Sequence, residues 1–289
     1  MFTRQNQQTL KMFVDVPETI HSWFLDTNVW GSIAESTETK VSFVELMVNT
    51  NNLACLTVYS LFELSRASKI VPALDDLFFQ LRHNIWIPLL YDFVYEAELS
   101  AYPHGIQMRW MPVSMLTGEE PDGPSVMSQF ADDSKFGEAR DKHLAFGHGE
   151  FMSLEQFKRN FPPQDPTGYS QKDALEFAKL NALDYFRRHD TAFLRGLSQP
   201  LHEFDPTGIP SQFMRSVFLF YKFYMHDKSP NKSDFLDFAN ISYLPYVSHY
   251  VTERDVLNTI NHIKSTTALL EDVSTIHVSD FLLAFRGAK

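Results

Sequence analysis

Six acidic residues near the ends of predicted strands and helices are the side chains in this sequence best suited to chemistry. Asp26 directly follows the apolar run 23–25, and Thr27 and Asn28 stand behind it. The other acids are Glu63, Asp234, Asp237, Glu253 and Asp255. An apolar run that stops at a polar turn is typical of a buried strand, and ligands bind at the carboxyl ends of the strands in open parallel sheets.

Carboxylates gathered in one site repel one another, and their pKa values rise unless a positive charge compensates. Carboxylate oxygens without cysteine ligands suit hard cations such as Mg²⁺ or Mn²⁺. Two such ions can activate a water, hold a phosphate and stabilise the leaving oxygen of a phosphodiester. If the acids meet at one edge of a parallel sheet, the sequence therefore indicates a divalent-metal site for phosphodiester hydrolysis.

Each acid also has a purely structural interpretation. Asp26 can cap the turn that follows it, since aspartate accepts hydrogen bonds from free backbone N–H groups there. Glu63 can be a solvated acid on a helix surface, and Asp234 can be the N-cap of its own helix. Because all six acids lie near the ends of predicted strands and helices, the metal-site interpretation is favoured for Asp26.

The elements that must position these acids follow an alternation of strand and helix, which predicts an α/β fold with a parallel sheet core flanked by helices. Short apolar runs predict four strands, at 22–25, 53–56, 250–252 and 275–278. Gly31 and the polar residues 35–39 are interpreted as a loop. From about 70 to 212 the sequence shows helical patterns and loops without a repeated strand signal, which predicts a large helical insertion. The expected organisation is a first part of the core at 1–69, the insertion at 70–212 and a second part at 213–289.

Composition narrows the class of protein. The 289 residues are 44% hydrophobic, enough to bury a core, and the formal net charge of −11 argues against a general nucleic-acid coat protein. It does not argue against a nucleic-acid enzyme whose acidic site is neutralised by metal ions. The single cysteine, Cys55, excludes an internal disulfide and suits a reducing compartment. The opening residues 1–11 lack the apolar segment of a signal peptide, so we expect a cytoplasmic protein with no membrane partner.

Several segments, taken together and in order, resemble the PIN-domain family of metal-dependent ribonucleases. They fall within roughly 22–66 and 233–285, about a third of the chain. The matching pieces are Phe24-Leu25-Asp26-Thr27-Asn28-Val29, Leu61-Phe62-Glu63-Leu64, Asp237-Phe238, Ile241-Ser242-Tyr243-Leu244-Pro245-Tyr246, Tyr250-Val251-Thr252-Glu253 and Ile276-His277-Val278-Ser279-Asp280-Phe281-Leu282. The resemblance implies a PIN-like parallel sheet core, with the long insertion as a departure from the compact members of the family.

The resemblance also implies roles for particular residues. Asp26, Glu63 and Asp237 would bind metal and take part in catalysis. Supporting hydrogen bonds of the kind that orient metal ligands would come from Thr27 or Asn28 and from Thr252.

The fourth acid of the site stays open between two residues. The family places an aspartate two positions after the threonine, where this chain has Arg254. Glu253 and Asp255 flank that arginine, and either could provide the missing ligand. Asp234 is expected to support the ligands without being one of them.

The function implied by the resemblance is a Mg²⁺- or Mn²⁺-dependent endonuclease that leaves a 5′-phosphate and a 3′-hydroxyl, with RNA favoured over DNA as substrate. The alternative is a catalytically inactive PIN-like scaffold that binds a protein or RNA partner; Arg254 and the negative net charge favour it. A phosphatase or a DNA-structure nuclease would keep the metal site and change the substrate. An inhibitor protein or a second copy of the chain is a further expected partner. Candidate phosphate contacts are Arg66, Lys69, Arg82, Arg187, Arg188, Lys222, Lys228 and Lys232.

Overall fold

The centre of the structure, a computed structural model, is a six-stranded sheet in the order β4-β3-β2-β1-β5-β6. The strands are β1 (His21–Leu25), β2 (Asn52–Cys55), β3 (Ile85–Pro88), β4 (Val113–Met115), β5 (His249–Thr252) and β6 (Ser274–His277). All neighbours pair in parallel except β4, which is antiparallel to β3 at one edge. The residues described are 20–50, 52–88, 90–106, 108, 113–115, 127, 134–163, 168–197, 200–226, 229 and 234–286.

The predicted α/β class and parallel sheet are confirmed, and the four predicted strands match β1, β2, β5 and β6 within a residue or so. The expectation that 70–212 contains no strand is wrong. β3 lies within that range and extends the parallel core, with Ala54 opposite Ile85 and Cys55 opposite Trp86. The strand ends in Pro88, and a proline argues against a strand within a sheet. The boundaries near 70 and 212 stay a prediction, but the segment between them supplies part of the sheet as well as helices.

Five α-helices flank the sheet in the described residues between 20 and 106. They are α1 (Thr27–Glu35), α2 (Thr37–Val48), α3 (Val58–Leu64), α4 (Val71–Gln80) and α5 (Tyr91–Ala101). The predicted loop at Gly31 and 35–39 is wrong, because α1 runs through Gly31 and only Ser36 separates α1 from α2. Ser36 caps α2 by accepting a hydrogen bond from the Thr39 N–H, so a single residue suffices for the connection.

The remaining helices are α6 (Ser134–Asn160), α7 (Gln171–His189), α8 (Thr191–Gly196), α9 (Pro210–Leu219), α10 (Asp234–Asn240), α11 (Arg254–Thr266) and α12 (Val278–Arg286). A π-helical turn, Phe220–Tyr224, continues α9, and a 3-10 segment, Ile241–Tyr246, continues α10. In the described part of the chain, no helix is both long and apolar enough to cross a membrane.

Apolar side chains form a cluster on each face of the sheet. Successive residues of a strand point to opposite faces, and accordingly Phe24 belongs to the cluster under α9 and α10, while Leu25 belongs to the cluster under α1 and α2. Cys55 is fully buried in the first cluster, and burial raises the pKa of its thiol to about 12. The thiol therefore stays protonated and acts as a core residue, as its strand position predicts.

The long helix α6 packs on α3 and α10. The ring of His143 lies 5.3 Å from that of Tyr59 on α3, at right angles. Further along, the ring of Phe151 lies 4.8 Å from Phe235 and 5.5 Å from Phe238 on α10. Helix α6 therefore spans the two helices that carry Glu63, Asp234 and Asp237.

Candidate active site

Asp26 lies where β1 ends and α1 begins. Its Oδ1 accepts a hydrogen bond from the Thr27 N–H at 2.8 Å, which caps α1, and its Oδ2 accepts one from Thr252 Oγ1 at 2.9 Å. The backbone N–H of Asp26 donates to Val251 O at 3.0 Å. Because β1 and β5 pair in parallel, Asp26 and Thr252 are adjacent at the carboxyl edge of the sheet. The expected hydrogen bond from Thr252 is present.

The carboxylate of Asp26 lies in a buried, acidic environment. Burial raises its pKa to about 7, and the nearby charges of Asp237 and Glu63 raise it as well. The hydrogen bonds from Thr252 and Thr27 lower the pKa and offset part of this rise. Asp26, Glu63 and Asp237 thus lie close enough to repel one another.

Glu63 reaches the site from α3, whose start is held by buried hydrogen bonds. Thr57 caps α3 by accepting from the Ser60 N–H at 3.0 Å, and its own hydroxyl donates to Asn240 Oδ1 at 2.7 Å. Asn240 ends α10, so this contact joins the helix of Glu63 to the helix of Asp237. Burial and then Asp237 raise the pKa of Glu63.

The hydroxyl of Thr27 lies beside Glu63. It is close enough to lower the pKa of that carboxyl. Its Oγ1 is nevertheless buried without a hydrogen-bond partner of normal geometry among the described residues. The Thr27 hydroxyl is therefore a buried polar group held near Glu63, with less than ideal hydrogen-bond geometry.

Asp234 and Asp237 meet an ammonium group. Lys222 Nζ lies 2.8 Å from Asp234 Oδ1 and 2.9 Å from Asp237 Oδ2, and the lysine side chain is only 3% exposed. Burial lowers the pKa of Lys222, but the two aspartates outweigh burial and hold it above its usual value, so the lysine stays charged. Burial raises the pKa of Asp237, Lys222 lowers it, and Asp234 and Glu253 raise it.

The two candidates for the fourth acid occupy different places. Glu253 precedes α11 and accepts a hydrogen bond from Asn28 Nδ2 at 2.5 Å, and its charge raises the pKa of Asp237. Asp255, in the first turn of α11, is 67% exposed and its Oδ2 lies 3.8 Å from Lys222 Nζ. Asn28 therefore orients Glu253, and Asp255 faces the lysine side of the cluster.

The clustered acids all offer carboxylate oxygens, which are the ligands that a hard divalent cation prefers. Burial and the neighbouring acids raise the pKa values of Asp26 and Glu63, and a positive charge bound beside them would lower those values. Across the described ranges, however, no three His, Cys, Asp or Glu side chains already surround a common point as a metal centre does. One oxygen of Asp237 forms an ion pair with Lys222. The site is therefore buried and acidic, but its acids are not arranged around a common metal position.

Among the predicted phosphate contacts, Lys222 and Arg66 lie at the cluster. Arg66 is near enough to Glu63 to lower its pKa. The guanidinium of Arg82 instead lies 4.5 Å from the centre of the Phe79 ring, and Arg187 and Arg188 both pair with Asp184. Lys228 and Lys232 lie outside the described residues. Sequence reasoning placed Lys222 at the site but missed its role as a buried ion-pair partner; its place within the apolar run 217–225 was the available signal.

No protein-family model matches this chain, and neither a curated protein nor a solved structure matches it. Because a fold hosts many functions, the site itself is the basis for a functional assignment.

Proposed function

We propose that this chain is a cytoplasmic, divalent-metal-dependent endonuclease that hydrolyses phosphodiester bonds, with RNA as the preferred substrate. The observation that carries the proposal is the position of Asp26 at the carboxyl edge of the parallel sheet, where Thr252 holds one of its oxygens and Glu63 and Asp237 lie near enough to raise its pKa. Buried like charges are stabilised by a bound cation, and this edge is where such sheets bind ligands.

In this proposal Asp26, Glu63 and Asp237 hold Mg²⁺ or Mn²⁺, with Glu253 or Asp255 as the fourth acid. A bound divalent ion supplies an activated water and stabilises charge on a phosphate. The resemblance of the sequence segments around these acids to the PIN-domain family supports the same residues and favours RNA over DNA.

The protein's own part is to position the carboxylates. Thr252 and the Thr27 N–H hold the two oxygens of Asp26, so that its plane is set before any ligand arrives. Asn28 does the same for Glu253. The bond from Thr57 to Asn240 keeps the helices of Glu63 and Asp237 together. Such partners orient ligands and tune their basicity.

A second candidate function is a catalytically inactive scaffold that binds a protein or RNA partner. The observation that favours it is the ion pair between Lys222 and Asp237, which neutralises a proposed ligand internally. Arg254 stands where the family resemblance implies an acid, and this departure also favours the inactive scaffold.

The proposal is tested with end-labelled single-stranded RNA and DNA, each incubated with Mn²⁺, with Mg²⁺ and with a chelator. We expect metal-dependent cleavage of RNA by the unaltered protein. Asp26→Asn should lower the rate by at least about 100-fold, because loss of even an outer partner of a ligand costs 10–100-fold. Asp272→Asn, at an exposed position, is the matched control and should cleave normally.

Cleavage that persists in chelator, or at full rate in the Asp26→Asn protein, would refute the metal-site assignment. Absence of cleavage by the folded protein under all conditions, with RNA bound, would favour the scaffold. Preference for DNA would keep the metal chemistry and change the substrate.

A further inference from the structure

A cavity of about 580 Å³ lies between three short segments of the chain. The segments are the 3-10 turn Tyr102–His104 with the residues after it, the end of α8, and the 3-10 turn Pro206–Gly208 with the residue before it. None of the six acids of the candidate active site is among the lining residues. Because sites for small ligands typically have this size, the cavity is a second candidate binding site.

Two aromatic rings and an isoleucine form the apolar wall of this cavity. The centre of the Tyr102 ring lies 5.7 Å from that of the Phe193 ring. The Tyr102 ring also lies 5.6 Å from the ring of Phe204, and the Phe193 ring lies 5.0 Å from that of Phe186. Both of these phenylalanines are almost completely buried, whereas Ile106 is 58% exposed. The wall is therefore held by the core and presents apolar surface to the cavity.

A glycine allows the acidic turn to pack directly against the Tyr102 ring. A Cβ atom added to Gly208 would lie 2.5 Å from Tyr102 Cε2, closer than a Cβ atom can approach, so the contact requires glycine. The turn that ends at Gly208 begins after Asp205, whose side chain is its N-cap. The contact between ring and turn therefore fixes the carboxylate of Asp205 beside the aromatic wall.

Asp205 uses only one carboxylate oxygen to hold its turn. Oδ1 accepts hydrogen bonds from the Thr207 N–H at 2.9 Å and from Thr207 Oγ1 at 2.7 Å. Within the part of the chain that the structure describes, Oδ2 accepts no hydrogen bond, and no basic side chain pairs with Asp205. Asp205 is also the only charged residue among the described residues that line the cavity. One carboxylate oxygen is therefore available to a ligand.

A carboxylate beside aromatic rings selects a cation. An ammonium group is attracted both by a carboxylate and by the face of an aromatic ring, and a flat apolar body can pack on the apolar wall. A phosphate or a nucleotide would instead meet the negative charge of Asp205 without a basic residue among the described residues of the lining. The cavity therefore suits a ligand opposite in charge to the proposed RNA substrate.

We propose that this cavity binds a small organic ammonium ion with an aromatic body. The body packs on Tyr102 and Phe193, and the ammonium group pairs with Oδ2 of Asp205. This inference goes beyond the proposed function and does not depend on it, because no acid of the candidate active site takes part.

The test compares three probes of similar shape and different charge, by titration calorimetry and ligand-observed NMR. They are the ammonium tryptamine, the neutral alcohol tryptophol and the anion indole-3-acetate. The unaltered protein should bind tryptamine about 5-fold more tightly than tryptophol, which is the effect of one exposed ion pair, and should bind the anion most weakly. Asp205→Asn keeps an oxygen for Thr207 and should lower the affinity for tryptamine about 5-fold, without changing the affinity for tryptophol.

A second variant locates the binding site. Ile106→Lys introduces an ammonium group at the cavity wall, where it competes for Asp205, and should prevent tryptamine binding. Leu283→Lys changes a similarly exposed residue of α12 that does not line the cavity, so this matched control should bind tryptamine normally.

Three results would overturn the inference. The first is the absence of saturable tryptamine binding at millimolar concentrations. The second is equal binding of tryptamine and tryptophol by the unaltered protein. The third is tryptamine binding that is unchanged in Asp205→Asn or in Ile106→Lys.

Discussion

The hydroxyl of Thr252 donates a hydrogen bond to Oδ2 of Asp26 at 2.9 Å, across 226 positions of sequence. Thr252 is fully buried and ends β5, while Asp26 follows β1. The bond therefore exists only when β5 lies beside β1. The orientation of the first proposed ligand is thus a property of the assembled sheet and not of the local Asp-Thr-Asn sequence.

Replacing this hydroxyl should weaken metal binding. Thr252→Val keeps the shape of the side chain and removes its hydrogen bond to Asp26. Because that hydrogen bond lowers the pKa of Asp26, the pKa should rise further in the variant. At pH 7 a larger fraction of Asp26 would be protonated, and we expect a Mn²⁺ affinity about 10-fold lower by calorimetry. Thr252→Ser retains a hydroxyl and should bind nearly normally. Equal affinities for the valine variant and the unaltered protein would contradict the supporting role of Thr252.

The bond between α3 and α10 should be measurable in stability. Thr57→Val removes the cap of α3 and leaves the buried oxygen of Asn240 without its donor. We expect the free energy of unfolding to fall by about 1–3 kcal/mol, as measured by denaturant titration in chelator. Thr57→Ser should lose much less, because it preserves both hydrogen bonds. A valine variant as stable as the serine variant would show that the contact contributes little.

Two glycines of α6 offer a matched comparison of packing. A methyl group at Gly149 meets nothing within 4 Å, so Gly149→Ala should stabilise the protein by about 0.5–1 kcal/mol through helix propensity. A methyl group at Gly147 would lie 3.2 Å from Phe235 Cβ on α10. Gly147→Ala should therefore gain less than Gly149→Ala or lose stability. Equal gains at the two positions, by thermal or denaturant unfolding, would contradict the close packing of α6 on α10.

Glu98 should make stability depend on pH. It is 1% exposed and accepts hydrogen bonds from the Ser211 N–H at 2.9 Å, from Ser211 Oγ and from the Tyr246 hydroxyl. Burial raises its pKa from the ordinary 4.5 to about 7, although these hydrogen bonds lower it. The pKa of Glu98 is higher in the folded than in the unfolded protein. Its contribution to the free energy of unfolding is therefore fully present below pH 4.5, and it falls by at most about 3 kcal/mol as the pH rises through 7.

Glu98→Gln removes this titration. The free energy of unfolding of the variant, relative to the unaltered protein, should increase between pH 4.5 and 7 and then level off. Denaturant titrations at a series of pH values in chelator measure the difference, so that other titrating groups cancel. Parallel pH profiles for the two proteins would show that Glu98 does not change its proton affinity on folding.

The sheet edge that carries the acids could be predicted from sequence because its signals are local. In β1 the apolar run and the abrupt change at Asp26 are visible within a few residues, and the same holds for β5 and Glu253. β3 was missed although β2, β5 and β6 are equally short, because it ends in Pro88, and a proline argues against a strand within a sheet. The path of α1 through Gly31 was missed because capping by Asp26 and burial of Trp30 outweigh the helix-breaking tendency of one glycine.

The role of Lys222 could not be read from sequence for a different reason. A lysine within an aromatic run must find a buried partner or reach water, but its partners lie beyond a segment of irregular sequence, at Asp234 and Asp237. The π turn that aims it has no local signature in Phe-Tyr-Lys-Phe-Tyr. The pairing of Lys222 with Asp234 and Asp237 therefore depends on how α10 packs against the π turn.

The strand order has a consequence for synthesis on the ribosome. β1 is made first, yet one of its two neighbours in the sheet is β5, which follows more than 200 residues later. A nascent chain can form β1, β2 and β3 early, but Asp26 stays without Thr252, and the cluster stays without Asp237, Glu253 and Asp255, until that late segment emerges. The acid site therefore cannot exist on a growing chain before residues 249–255 have been made, and any activity that depends on it begins only after that point.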